Sequence, residues 1–338
     1  MVRFAERRPF WAAVIVLAVA VLLWAIFAPW PEALEDVVGR KKIFLNALFN
    51  GITLGALYFL VASGFTLIFG LMKNVNLAHG SLYMLGGYIG YEVADATGWW
   101  LLSFLVSFVV VGAIGVLLQL FVFARMEGQD LKQTLVTIGI SIVIADIMLW
   151  IWGGDFYQIL TPDWITGPIE LPLITGISRR SGEYIYLTYP VVRLVILLAA
   201  IAIGIGMWLV LNRTRIGMLV RAGVDDRDML SATGVRIQRV FILVFAFGAG
   251  LAGIAGVIGG TFQSMAPGED IRFLLASLVV VIVGGMGSIP GAALGALLIG
   301  LAEQFGSVYA PTYAVVLTFL IMVLVLAFRP QGLIAVRR

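Results

Sequence analysis

Ten apolar stretches, most of them long enough to cross a lipid bilayer, restrict the fold of this chain more than any other feature. They cover residues 10–28, 44–72, 75–93, 99–123, 134–152, 189–211, 240–262, 273–286, 292–305 and 313–328. Crossing a hydrocarbon core takes about 20 apolar residues in a helix. Lipid offers no partners for backbone N–H and C=O groups, so a spanning segment must satisfy them itself. Composition agrees: 61% of the 338 residues are hydrophobic and 12% charged, where soluble domains carry roughly 25% charged residues. The pattern predicts an all-α polytopic transmembrane bundle of about ten helices, and it excludes a cytosolic globular enzyme and a disordered chain.

The first stretch follows Arg3, Arg7 and Arg8 and is succeeded by Pro29-Trp30-Pro31, which lacks a small-x-small cleavage site. Its length exceeds a secretory h-region, so it reads as a retained anchor. Residues 1–43 then form a cytoplasmic tail, an anchor helix and a linker, and residues 44–335 the transmembrane domain. The stretch at 44–72 contains Gly51, Gly55, Gly64 and Gly70 and reads as one tilted helix or two broken pieces.

Alternating ten spans from a cytoplasmic N-terminus places fifteen basic residues inside: Arg3, Arg7, Arg8, Lys73, Arg125, Lys132, six arginines between positions 213 and 239, Arg329, Arg337 and Arg338. Five fall outside, namely Arg40, Lys41, Lys42, Arg179 and Arg180, while Arg193 and Arg272 sit near span ends. The positive-inside rule therefore puts both termini in the cytoplasm, with Glu32, Glu35, Glu269 and Asp270 outside. The same rule accounts for the net charge of +3, so a basic balance gives no reason to expect nucleic acid.

Two connections are long. The outer one, 153–188, carries three prolines and the alternating Glu183-Tyr184-Ile185-Tyr186-Leu187, which predicts an ordered loop with a hairpin. It reads equally as a docking surface or as a cap over the helices. Within the inner one, 212–239, residues 225–230 read as a short amphipathic helix ended by Gly234, with Met229 and Leu230 on one face. That loop is either a solvated topological signal or a socket for a cytoplasmic partner.

Catalytic chemistry finds little support. The chain has no cysteine and one histidine, and none of its four lysines stands in a Gly-x4-Gly-Lys phosphate loop. It is therefore expected not to hydrolyse ATP and to hold no metal. Charged groups inside a membrane are functional candidates by default, which singles out Asp146, the better candidate for a buried charge, and Glu303, placed nearer the outer interface. His79 lies in Asn76-Leu77-Ala78-His79-Gly80-Ser81, where small and polar residues suggest a discontinuous helix of the kind that builds midplane transport sites. Gly284-Gly285-Met286-Gly287-Ser288-Ile289-Pro290-Gly291 has the same character, and aligning His79-Gly80-Ser81 with Met286-Gly287-Ser288 suggests a weak internal repeat. Small-residue faces such as Ala252, Gly256 and Gly260 read as helix packing, with a backbone-lined path as the second reading.

Five segments in order carry a family likeness: Phe49-Asn50-Gly51-Ile52-Thr53-Leu54-Gly55, Asn76 to Met84, the loop from Arg221-Ala222 to Gly234-Val235, Gly284 to Gly291, and Arg329-Pro330-Gln331-Gly332-Leu333. Together, over residues 45–335, they resemble the permeases of bacterial branched-chain amino-acid-type ABC importers; the N-terminal anchor is a departure. The resemblance implies a multi-pass permease of the inner (plasma) membrane, most often paired with a second, different permease. A periplasmic or extracellular solute-binding protein would deliver substrate and two cytoplasmic ATP-binding subunits would use ATP and Mg, with no cofactor on this chain. It implies that Asn76, His79, Ser81, Tyr83, Gly285 and Ser288 line or shape the substrate path. The coupling helix that meets the ATPase would lie at Arg221, Ala222, Asp225, Asp226, Arg227, Met229 and Gly234. Branched-chain amino acids, urea, amides and small organic acids all suit such an importer, and no charged pair legible in the spans demands a zwitterion. The competing expectation is an ion-coupled secondary transporter working through Asp146 or Glu303.

Overall fold

A computed structural model describes residues 23–26, 28, 30, 40–73, 75–126, 128–177, 184–225 and 227–334, with the side chains of 224–228 excepted. The anchor expected at 10–28 lies almost wholly outside the described residues, as do Arg3, Arg7, Arg8, Arg179, Arg180, Arg337 and Arg338.

Each of the nine apolar stretches from residue 44 onward becomes a helix. In chain order these are α1 (Lys41–Met72), α2 (His79–Thr97), α3 (Trp100–Phe121), α4 (Asp130–Trp152), α5 (Val191–Arg213), α8 (Ile237–Phe262), α9 (Glu269–Gly284), α10 (Ile289–Tyr309) and α11 (Ala314–Phe328). Between α5 and α8 lie the short helices α6 (Arg215–Asp225) and α7 (Arg227–Ala232). Despite its four glycines, α1 is one unbroken helix of 32 residues. Seven helical segments meet the length and hydropathy of a membrane span, and α2 and α9 do not, which makes this a multi-pass membrane protein.

The described residues divide into two compact units. The smaller one takes Met1–Phe49 and Gly167–Val191. Its hairpin pairs β1 (Pro168–Ile177) with β2 (Tyr184–Pro190) antiparallel, from Pro168 opposite Pro190 to Ile177 opposite Tyr184, with irregularities around Ile174. The alternation legible in the sequence is seen on β2, whose Leu187 and Tyr189 point inward. Leu45, Leu173 and Leu187 form the core of this unit, and the Tyr189 hydroxyl donates to the Phe49 carbonyl at 2.9 Å.

The larger unit, Asn50–Thr166 with Val192–Arg338, is the helical bundle. Within it α1 and α8 are mostly buried, while α4, α5 and α11 expose apolar faces such as Ile142, Val143, Leu198 and Val323. Exposed aliphatic residues on long apolar helices are what a lipid-facing surface requires. The buried helices approach closely because glycine meets glycine: a Cβ on Gly64 would stand 2.3 Å from the Gly248 carbonyl oxygen, and one on Gly86 would stand 2.3 Å from the Gly253 Cα. One end of the bundle collects the C-termini of α1, α3, α5, α9 and α11 and the N-termini of α4, α8 and α10. There Leu71, Met207, Val220, Val240 and Phe241 pack together. Lys73, Arg125, Lys132, Arg213 and Arg239 belong to this basic end.

Candidate functional site

At Met72 α1 stops and the chain turns back through Lys73, whose φ of 55° is in the left-handed region. It re-enters the bundle before forming a new helix. Asn76 shapes the return: its side-chain oxygen accepts from the Ala78 N–H at 3.1 Å and its carbonyl from the His79 N–H at 3.2 Å. His79 then opens α2. Its ring lies beside Gly64, eight residues before Met72, which at 1.5 Å per residue is about 12 Å inside the basic end. His79 is fully buried, with Nε2 3.0 Å from the Val61 carbonyl. A carbonyl only accepts, so Nε2 carries the proton and Nδ1 presents a lone pair. That Nδ1 finds no hydrogen-bond partner among the described residues, nor do Asn76 Nδ2 and the Thr66 hydroxyl.

A second helix starts beside the first turn of α2 from the other half of the chain, the Asp270 carbonyl lying against Gly80. Gly268, at φ 95°, turns the backbone into α9, and Glu269 and Asp270 occupy its first turn. Asp270 is buried, and its Oδ2 accepts from the Ser81 hydroxyl at 3.0 Å. The Ser81 oxygen is also 2.7 Å from that of Ser141, eleven residues from either end of α4 and so at mid-span. The two helices run in opposite directions. α2 proceeds alongside α8, Gly86 meeting Gly253 and Gly90 meeting Val257, away from the basic end. α9 runs toward that end, where the Gly284 carbonyl accepts from the Ile334 N–H at 3.0 Å. Two positive helix ends thus converge near mid-membrane on one carboxylate, which they favour electrostatically.

Charge continues along α9. Arg272 Nη2 lies 3.4 Å from Glu303 Oε1 on α10, and Arg272 Nη1 lies 3.3 Å from Glu269 Oε2. The buried Tyr58 of α1 donates a 2.6 Å hydrogen bond to Glu303 Oε2. Tyr58 is fourteen residues from Met72 and Glu303 fourteen from Ile289, so both lie about 21 Å from the basic end. Tyr83, one turn into α2, packs its ring 4.4 Å from Phe273.

Of the residues expected to line the path, Asn76, His79, Ser81 and Tyr83 come together here. Gly285 and Ser288 do not join them. Ser288 caps α10 by accepting from the Gly291 N–H at 3.1 Å, and Gly285, at φ 109°, sits against the carbonyls of Gln331 and Ile334 at the basic end. The helix start that answers His79-Gly80-Ser81 is therefore Glu269, not Met286. The expected order of the two intramembrane carboxylates is reversed: Asp146 is exposed on α4, whereas Glu303 is held between Tyr58 and Arg272. Asp270, read from sequence as an outer loop residue, is buried against Ser81. Its signal was Pro267-Gly268 followed by two acids, a helix-start pattern, ahead of an apolar stretch too short to span.

The loop expected to couple to a partner folds as α6 and α7. Helix begins earlier than expected, at Arg215, where the Thr214 hydroxyl accepts from the Gly217 N–H at 3.1 Å. Arg221 reaches back to the Leu211 carbonyl and to Asn212 Oδ1. Met229 is exposed and Leu230 buried, because successive helical residues are about 100° apart rather than on one face. Ala222 is half-buried beside Gly223, which packs on Leu71 and Leu230, and Gly234, at φ 85°, ends the segment. The side chains of Asp225, Asp226 and Arg227 lie outside the described residues.

Residues 47–326 match the family described as "Branched-chain amino acid transport system / permease component". The high-affinity branched-chain amino acid transport system permease protein LivH of Escherichia coli K12 is 31% identical over 304 residues, covering 86% of this chain and 95% of the relative. BraD of Pseudomonas aeruginosa, which bears the same description, is 30% identical over 303 residues with the same coverage. LivM of Escherichia coli K12 is 26% identical over 357 aligned positions, covering 98% of this chain and 76% of LivM. No solved structure matches the chain. With a family match over most of its length and relatives matched almost end to end, the chain belongs to the permease components of branched-chain amino acid transport systems.

Proposed function

We propose that this chain is the membrane-spanning subunit of an ABC importer for branched-chain amino acids or similar small organic solutes, driven by separate cytoplasmic ATPases. The observation that carries the reading is the 31% identity to LivH across 95% of that protein. Similarity to both LivH and LivM of one strain supports a pair of related but different permease chains. A solute-binding protein would deliver substrate to them. The positive-inside rule makes the basic end cytoplasmic, in the inner (plasma) membrane.

The geometry suits alternating access. A half-helix start in each half of the chain brings polar groups to mid-membrane without an exposed backbone, the arrangement from which transporters build midplane sites. Asn76, His79, Ser81, Tyr83 and Asp270 are the path residues, and Gly285 and Ser288 act as the elbow at its cytoplasmic mouth. The α6–α7 segment is the lever. Leu230 of α7 packs beside Gly223 of α6, Gly223 lies against Leu71 at the end of α1, and Arg221 ties the segment to the end of α5. A push on α7 from an ATPase therefore reaches α1, which carries Tyr58, Val61 and Gly64 into the site. Glycine-rich contacts between α1, α2 and α8 let packed helices shift between two arrangements.

Native mass spectrometry of the complex extracted from its own membrane tests the assignment, wild type beside a double Asp225→Lys, Asp226→Lys variant. The expected particle holds two permease chains and two ATPases, and the variant loses the ATPases. A wild-type particle without ATPase refutes the importer. Uptake that then stops on collapse of the proton gradient, and is lost in Asp146→Asn, would establish an ion-coupled transporter instead.

A further inference from the structure

We infer that Arg272, Glu303 and Glu269 form a binding site for the charged head of an α-amino acid. This rests on the importer reading above and names the group within it that recognises substrate. Arg272 lies twelve residues before the end of α9, about 18 Å from the basic end, and its side chain is 47% exposed on the bundle. A guanidinium at that depth does not face hydrocarbon; such groups turn to a water-filled cavity or to a polar partner. Glu269 and Glu303 are those partners, and the exposed remainder of the guanidinium is open to a solute.

The contacts already made are loose. Charge-assisted N–H···O bonds run about 2.7–2.9 Å, but Arg272 meets Glu303 at 3.4 Å and Glu269 at 3.3 Å, each through one nitrogen. Each glutamate takes one of the five guanidinium N–H groups, so others remain to take the carboxylate of a solute. An ammonium has three donors, and the two glutamate oxygens that Arg272 only grazes are acceptors within its reach. Tyr58 keeps Glu303 in place through the other oxygen at 2.6 Å. The exposed Ile271 and Leu275 flank Arg272 on the same side of α9, one helical turn apart. They offer aliphatic surface to a branched side chain. Cation, paired anions and aliphatic surface together match an L-amino acid with a branched aliphatic side chain, and match urea or a simple amide poorly.

A structural ion pair is the competing explanation, and a double substitution separates the two. Arg272→Gln alone leaves both Glu269 and Glu303 without their cation, while Arg272→Gln with Glu303→Gln leaves only Glu269, whose side chain is 30% exposed, without one and keeps hydrogen-bonding groups for Tyr58 and for each other. The Arg272 side chain is 47% exposed, and ion pairs open to solvent contribute little to stability. The assay is ATP-driven uptake of radiolabelled L-leucine by the reconstituted complex, with ATPase activity stimulated by the loaded binding protein and the melting temperature read in parallel. The expected double variant keeps the wild-type melting temperature but takes up leucine about tenfold more slowly or worse. A double variant with wild-type uptake overturns the site and leaves the importer standing. A wild-type complex whose ATPase is not stimulated overturns the importer reading itself.

Discussion

Replacing Gly256 with alanine tests the closest helix contact that the site depends on. Gly256 lies on α8 opposite Tyr83 and Gly87 of α2, and a Cβ there would stand 1.9 Å from the Tyr83 carbonyl oxygen, 2.6 Å from the Gly87 nitrogen and 3.0 Å from the Tyr83 carbonyl carbon. These are backbone atoms of a buried helix, so no side chain can swing aside. Restoring an ordinary contact requires α2 and α8 to separate by about 1 Å or more. Overpacking of this kind costs roughly 1–3 kcal/mol, against which alanine's helix propensity returns about 1 kcal/mol. The expected net loss is up to about 2 kcal/mol. Ser81 stands two residues before Tyr83, so the same displacement stretches its 3.0 Å hydrogen bond to Asp270 beyond bonding distance. Gly139→Ala is the control: nothing lies within 4 Å of a Cβ at that exposed position on α4, so it keeps the propensity gain without a clash. The melting temperature of the purified complex and leucine uptake by proteoliposomes are measured together. Gly256→Ala should lower both and Gly139→Ala neither. If Gly256→Ala melts and transports as wild type does, α2 and α8 do not meet as closely as described here.

Two further substitutions probe the polar cluster and the lever. Asp270→Leu removes the acceptor for Ser81 and should cost about 1–3 kcal/mol and most of the uptake. Asp270→Asn, which keeps a carbonyl acceptor, should recover most of the stability by thermal melting; equal losses in the two variants would sink the role given to this hydrogen bond. Leu230→Ala takes a buried side chain of α7 from beside Gly223 of α6, which packs on Leu71 at the end of α1, a loss of about 2 kcal/mol by analogy with other core truncations. It should leave ATPases bound but their hydrolysis poorly coupled to uptake, read as more ATP consumed per leucine transported.

The sequence carried the bundle almost entirely, because the apolar stretches are set by the thickness of the bilayer and each of the nine in the described region became a helix. Positions within the bundle were less legible. Whether α1 breaks at its glycines was open because a glycine in a span reads alike as a hinge or as a contact; Gly51, Gly55 and Gly64 turn out to be contacts, each facing the backbone of another helix. Asp146 looked buried because it is central in its stretch, yet sequence position fixes depth along a helix and says little about which side faces its neighbours. Asp270 looked like a loop residue because the following stretch is short. The same shortness is what a helix beginning inside the membrane requires, and only three-dimensional pairing with Ser81 separates the two cases.

That shortness links fold to function more directly than any single residue does. Among the nine, α9 with 16 residues is too short for a membrane span and α2 with 19 is too weakly apolar, and they are the two whose first turns build the site. A full-length helix presents only side chains to the middle of a bilayer. A helix that starts there also presents the unpaired N–H groups of its first turn, and it must be met by acceptors or carboxylates to be tolerated in so dry a place. His79, Ser81, Glu269 and Asp270 stand at or near those two starts. The polar cluster is therefore what the helix breaks demand, whereas Arg272 and Glu303 lie beyond those first turns. A bound zwitterionic substrate would give Arg272 and Glu303 a role there.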